Sequence, residues 1–132
     1  MIQPFGLTAG KYAAILADPP WYFQAWSAKG DDRSASRHYN TMSLRQIARL
    51  PVEELAAPNC ALFMWATWPH LKSALWLIEA WGFEYKTCAF DWMKADPYRL
   101  FADDTTPEMG MGYWTRSNTE PCLLATRGKP KR

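Results

Sequence analysis

No apolar run in this 132-residue sequence approaches the roughly 20 residues a helix needs to cross a bilayer, so a helical membrane span is excluded. The opening stretch, Met1 to Lys11, has neither the charged start nor the apolar core of a secretory signal, and a cytoplasmic protein is expected. Cysteine is scarce. Cys60, Cys88 and Cys122 stand far apart, each inside an apolar run. That spacing fits no metal site, and an odd number without a secretory signal argues against a disulfide scaffold. Buried thiols in a reducing compartment, with no metal, are the expectation. Internal repeats and low-complexity stretches are also lacking, and the length suits one domain rather than two.

What the sequence has in abundance is aromatic rings: eight tryptophans, six tyrosines and six phenylalanines. Apolar residues make up 48%, enough for a real core. Most of the rings must serve that core, but a surplus also suits a pocket that stacks flat ligands. The formal charge of +2 hides an asymmetry, since five of the basic residues and only one acid, Glu120, follow Tyr113 and Trp114. A basic end is compatible with phosphate contact and equally with an idle solvated tail over 127–132.

Tyr12 to Ala17 (YAAILA) is a short continuous apolar run, as in a strand buried on both faces, and Pro19 and Pro20 forbid its continuation. Residues 22–40 are polar and irregular, a connection long enough to be a functional lid. Thr41 or Ser43 can cap a helix through Leu44, Ile47, Ala48 and Leu50, which Pro51 ends. Cys60 to Thr67 reads as a second strand. From Pro69 a helix presents Leu71, Ala74, Leu75, Ile78 and Trp81, and Gly82 closes it. Phe83 to Met93 is a third strand, 95–111 an irregular loop, and Glu120 to Thr126 a fourth strand. Strand, helix, strand, helix, strand is the α/β signature, implying a doubly wound, mostly parallel sheet that stops without the helix expected after its last strand.

Asp18-Pro19-Pro20-Trp21 follows the first strand, the end at which open α/β sheets bind ligands. Taken alone, the tetrapeptide is most simply a strand-ending turn. Its residue types nevertheless suit one chemistry. The exocyclic amine of adenine is a poor nucleophile because its lone pair is delocalised into the ring. A carboxylate and a backbone carbonyl, each accepting one N–H, would draw that nitrogen toward tetrahedral geometry. Asp18 can supply the first acceptor and Pro19 the second, while Pro20 fixes the backbone in advance. Trp21 offers a face for stacking a base, and positive charge growing on the nitrogen would be stabilised by Asp18.

The tetrapeptide resembles the motif of the adenine-N6 methyltransferase family that includes the catalytic subunit of the messenger-RNA N6-methyladenosine writer. Other blocks are similar in order: His38-Tyr39-Asn40-Thr41-Met42-Ser43, Leu62-Phe63-Met64-Trp65-Ala66-Thr67, Trp81-Gly82-Phe83, Trp92-Met93-Lys94, Gly112-Tyr113-Trp114, Asn118-Thr119-Glu120 and Arg127-Gly128. The ending resembles small bacterial and phage-type members. The resemblance implies a class I, Rossmann-like methyltransferase fold with permuted motif order, S-adenosylmethionine as cofactor, and adenine in nucleic acid as substrate, DNA ahead of RNA. It places Asp18 against both the target amine and the cofactor's methionine end, Tyr39 in a gate loop over the base (22–40), and Glu120 and Lys94 beside the substrate. The family's second gate loop and its terminal Asn-Gln or Asn-Glu have no counterpart within 132 residues, so residues 1–132 are expected to form one partial catalytic domain, with a partner protein as one way of completing the site. The alternative is a non-catalytic nucleic-acid-binding or scaffolding relative. Taken singly, His38 reads as a solvated loop residue, His70 as exposed or capping, and Trp65, Trp76, Trp81 and Trp92 as core.

Overall fold

A computed structural model describes residues 4–21, 41–94 and 118–132. Four strands form one sheet: β1 (Tyr12–Ala17), β2 (Ala56–Trp65), β3 (Glu84–Met93) and β4 (Thr119–Arg127). Their order across the sheet is β1-β2-β4-β3. β1 pairs parallel with β2, whereas β4 pairs antiparallel with both neighbours. Three strands therefore point the same way, as the sequence pattern suggests, and the fourth is inserted against them. Strand direction depends on the connection, which an apolar run does not encode. Here β3 and β4 pair directly, from Met93↔Thr119 to Glu84↔Thr126, and the Lys94 amide extends the ladder to the Asn118 carbonyl at 3.4 Å.

Among the described residues three helices accompany the sheet: α1 (Leu44–Ala48), α2 (Val52–Leu55) and α3 (Leu71–Ala80). Ser43 caps α1 in a reciprocal capping box with Gln46, which satisfies two otherwise orphaned donors. Pro51 precedes α2, a short turn of helix that the sequence reading left out. A 3-10 turn at Trp68–His70 leads into α3, and Gly82, at φ +78°, ends the following turn in a conformation that favours glycine.

The core lies on one face of the sheet. Cys60, Leu62 and Met64 alternate inward along β2 and meet Leu123 and Ala125 of β4, Ile47 of α1, and Ala74, Leu77 and Ile78 of α3. The other face is different in kind. Leu16 is 71% exposed and Phe90 61%, and Phe90 stacks on Phe63 with centroids 6.3 Å apart. Among the described residues the helices pack on the first face only. Cys60 and Cys122 are buried, and burial raises both thiols above their ordinary pKa. Cys88 is exposed, contrary to the expectation of three buried thiols. Among the described residues no helix is long and apolar enough to cross a membrane.

Candidate active site

β1, β2 and β3 all end at the same edge of the sheet, and β4 begins there. That shared edge brings together residues 18, 65, 92 and 120, far apart in sequence. An open cleft of about 560 Å³ is lined by Asp18, Trp65, Phe90, Asp91, Trp92 and Glu120. Two of the expected site residues, Asp18 and Glu120, thus face one space. A third, Lys94, reaches it from the end of β3: its Nζ lies 2.9 Å from Glu120 Oε1 and 5.3 Å from the centre of the Trp92 ring. Tyr39, the rest of the 22–40 gate loop and the 95–111 loop lie outside the described residues.

The Asp18 carboxyl keeps a side open to solvent, yet partial burial raises its pKa above the ordinary carboxylate value, and the negative charge of Glu120 raises it further. Asp18 is thereby biased toward its protonated form, the direction seen when carboxylates share a cleft. Asp18, Asp91 and Glu120 give the lining three acids, against which Lys94 is the cation paired with Glu120. Among the described residues no group of acids, histidines and cysteines converges as a metal site. The basic tail is not here. β4 carries the chain from Glu120 at the cleft to Arg127, roughly 24 Å away at 3.4 Å per residue. There Arg127 donates to the Glu53 carbonyl at 3.0 Å and the Lys129 amide to Asn59 Oδ1 at 2.8 Å.

The turn after β1 is rigid for reasons beyond its two prolines. The Trp21 amide donates to the Pro19 carbonyl at 2.8 Å, and the Met42 amide to the Pro20 carbonyl at 3.0 Å. The Pro19 oxygen therefore already accepts one bond and keeps one lone pair for another ligand. Trp21 itself is buried, at 8% exposure, within the core cluster. Its indole N–H donates to the Trp65 carbonyl at 3.2 Å, and its ring stacks on His70 with centroids 5.7 Å apart and planes 17° apart. The ring expected to offer an open face for a base is instead enclosed, held at the end of β2 and against His70.

The flat surface of the cleft comes instead from two tryptophans expected in the core. Trp65 and Trp92 meet edge to face with centroids 6.2 Å apart, and Trp92 is 53% exposed. Trp76 is likewise half exposed on α3, and Trp81 is buried as expected. In the register, Trp92 pairs with Glu120 and Trp65 with Cys122, so both rings sit on the sheet face opposite the described helices. The signal that could have found them is their position at strand ends beside the motif, not their residue type.

The chain is 34% identical over 134 residues to the type II methyltransferase M.MunI of Mycoplasma sp, the match covering 90% of this chain and 52% of that protein. It is 26% identical over 123 residues to the human N(6)-adenosine-methyltransferase catalytic subunit METTL3, covering 92% of this chain and 18% of that protein. A shorter match to the mouse N(6)-adenine-specific methyltransferase METTL4 is 36% identical over 67 residues, covering 50% of this chain and 12% of that protein. The chain thus spans about half the length of M.MunI and less of the other two. The MT-A70 family model matches residues 12–132, from the first residue of β1 through all four strands, and the chain belongs to the MT-A70 family.

Proposed function

We propose that this chain is the catalytic part of an S-adenosylmethionine-dependent methyltransferase acting on the N6 amine of adenine in nucleic acid, DNA ahead of RNA. The observation that carries the reading is the placement of Asp18, on a turn held by its own hydrogen bonds, in a cleft walled by Trp65 and Trp92. The named activities of M.MunI and METTL3 support the reaction class.

The lining suits the groups that must meet there. S-adenosylmethionine, when bound, supplies an electrophilic methyl group on a positively charged sulfur. Three carboxylates and two indoles favour a cation over an anion, through charge and through the negative faces of the rings. Asp18 accepts one N–H of the adenine amine, and the remaining lone pair of the Pro19 carbonyl accepts the other. Both acceptors are fixed before substrate arrives, so little is lost in ordering them. As the amine gains positive charge, the Asp18 carboxylate stabilises it and is placed to take the leaving proton. Trp92 and Trp65 offer the surface against which a flat base or the cofactor's own adenine stacks. In our reading Lys94 and Glu120 act beside the substrate as a pair, and Tyr39 closes over the base.

An acid-rich cleft is a poor seat for phosphates. The nucleic-acid backbone is therefore assigned to surfaces outside the described lining, and a base from a duplex reaches Asp18 only when flipped from the stack. The test is incubation of the protein with labelled S-adenosylmethionine and adenine-containing DNA or RNA, followed by nucleoside analysis. N6-methyladenine in the DNA product supports the full reading, and in RNA alone it overturns the polymer choice. Label on neither polymer from a folded, cofactor-binding protein sinks the nucleic-acid claim and favours a non-catalytic scaffolding relative.

A further inference from the structure

Nothing in the reaction itself calls for His70, yet its surroundings tie it to the catalytic turn. It ends the 3-10 turn after β2, with its backbone amide donating to the Thr67 carbonyl at 3.0 Å and its Nδ1 2.7 Å from Thr67 Oγ1. Those two bonds fix both the backbone and the ring. The ring then lies flat against Trp21, 5.7 Å between centroids. On its other contacts Trp21 reaches the Trp65 carbonyl through the indole N–H, and the 42-residue end of α1's approach through a parallel backbone bridge with Met42. Trp21 is thus held from three sides, by β2, by the residue before the Ser43 cap, and by His70. It is three residues from Asp18 and donates to the Pro19 carbonyl.

We propose that His70 is a positioning residue for methyl transfer: clamped by Thr67, it holds the Trp21 ring in place, and through Trp21 it fixes the Pro19 carbonyl and the Asp18 carboxylate relative to the end of β2. The inference rests on the methyl-transfer reading of Asp18 for its kinetic consequence, but the clamp itself is a matter of geometry. The logic is one of precision rather than affinity. Removing the imidazole leaves the prolines, the indole hydrogen bond and the core contacts intact, so the turn stays folded. What it loses is the flat wall that stops the indole from rocking about its hydrogen bond to Trp65. A displacement of an ångström in a positioned acceptor is enough to slow a reaction by orders of magnitude. The part of His70 that matters is its face, so another flat ring should serve.

The experiment compares the wild-type chain with His70→Ala and His70→Phe, using Trp21→Phe to assign the Trp21 indole N–H resonance. Two readouts are taken: hydrogen exchange of that N–H by NMR, and kcat and KM for adenine methylation. For His70→Ala the expected result is indole exchange about tenfold faster and kcat about tenfold lower, with KM within about twofold and the melting temperature nearly unchanged. His70→Phe keeps a flat ring against the indole but loses the bond to Thr67, so it should restore protection and kcat in part. Unchanged exchange in His70→Ala overturns the clamp. A fall in kcat/KM that arises through KM, in His70→Phe as much as in His70→Ala, overturns positioning in favour of direct substrate contact by the imidazole. The exchange readout needs no turnover, so failure of the clamp and failure of the methyl-transfer reading are told apart.

Discussion

Lys94 Nζ sits 2.9 Å from Glu120 Oε1, joining the end of β3 to the start of β4 across the mouth of the cleft that Asp18 lines. Both partners are partly exposed, so the pair adds little to global stability. Its consequence is local. Glu120 is the charge that, after burial, raises the Asp18 pKa, and Lys94 is the cation that compensates Glu120.

A pH dependence follows. If Asp18 acts as proposed, methyl transfer needs it ionised, and because its pKa is raised the acid limb of kcat/KM should lie above that of an ordinary aspartate. Glu120→Gln removes the second cause of the raised value and moves the limb to lower pH. Lys94→Met leaves Glu120 uncompensated and moves it to higher pH, with no further shift when Glu120→Gln is already present. Rate profiles of the four proteins check this. Stability responds in the opposite sense. The folded protein holds the Asp18 proton more tightly than the unfolded chain, so this contribution is full below the ordinary aspartate pKa and is lost as pH rises through the raised one. Asp18→Asn should therefore stabilise the fold near neutrality while impairing function, which denaturant midpoints measured across pH will show.

Trp92→Ala separates a ligand surface from a core residue. Because the ring is half exposed, its loss should change the melting temperature little. Loss of one stacking surface costs about 1–3 kcal/mol of binding, which corresponds to a roughly 5- to 150-fold weaker Kd for S-adenosylmethionine or the adenine oligonucleotide. Titration calorimetry with each ligand shows which of the two rests on Trp92.

Gly128→Ala should act on stability alone. Gly128 has φ +64°, and a Cβ there would lie 2.3 Å from the Pro58 carbonyl oxygen, a backbone atom that cannot swing aside. Strain and contact together should cost about 2 kcal/mol or more. The site is at the far end of β4 from the cleft, so turnover per folded molecule should be unchanged. A lowered urea midpoint with normal kcat is the expected result.

Much of the frame was legible because its signals are local. Pro19 and Pro20 set the end of β1, Thr41 or Ser43 was offered as the cap of α1 and Ser43 is the one that caps it, and Gly82 marks the turn after α3. What the sequence did not disclose depends on contacts between distant segments. The antiparallel insertion of β4 is decided by its pairing with both β2 and β3, and EPCLLAT would read the same in either direction. Trp21, expected as an open face, is buried, and Trp92, expected as core, is half exposed, because an apolar ring carries no mark of which sheet face the helices cover. Asp18 and Glu120, singled out from different motifs, are brought by the structure to one cleft. His70, expected as exposed or capping, carries no sequence signal of its stacking on Trp21, 49 positions away.

The most direct test of the central claim is the single-turnover rate of adenine N6 methylation by wild-type protein and by Asp18→Asn, at saturating cofactor and oligonucleotide. Asparagine preserves the shape of the turn and removes the carboxylate. The expected result is a loss of about 10²–10³-fold in rate with cofactor binding retained and the melting temperature equal or higher. A variant that methylates adenine at the wild-type rate would contradict it, and would remove Asp18 from the chemistry.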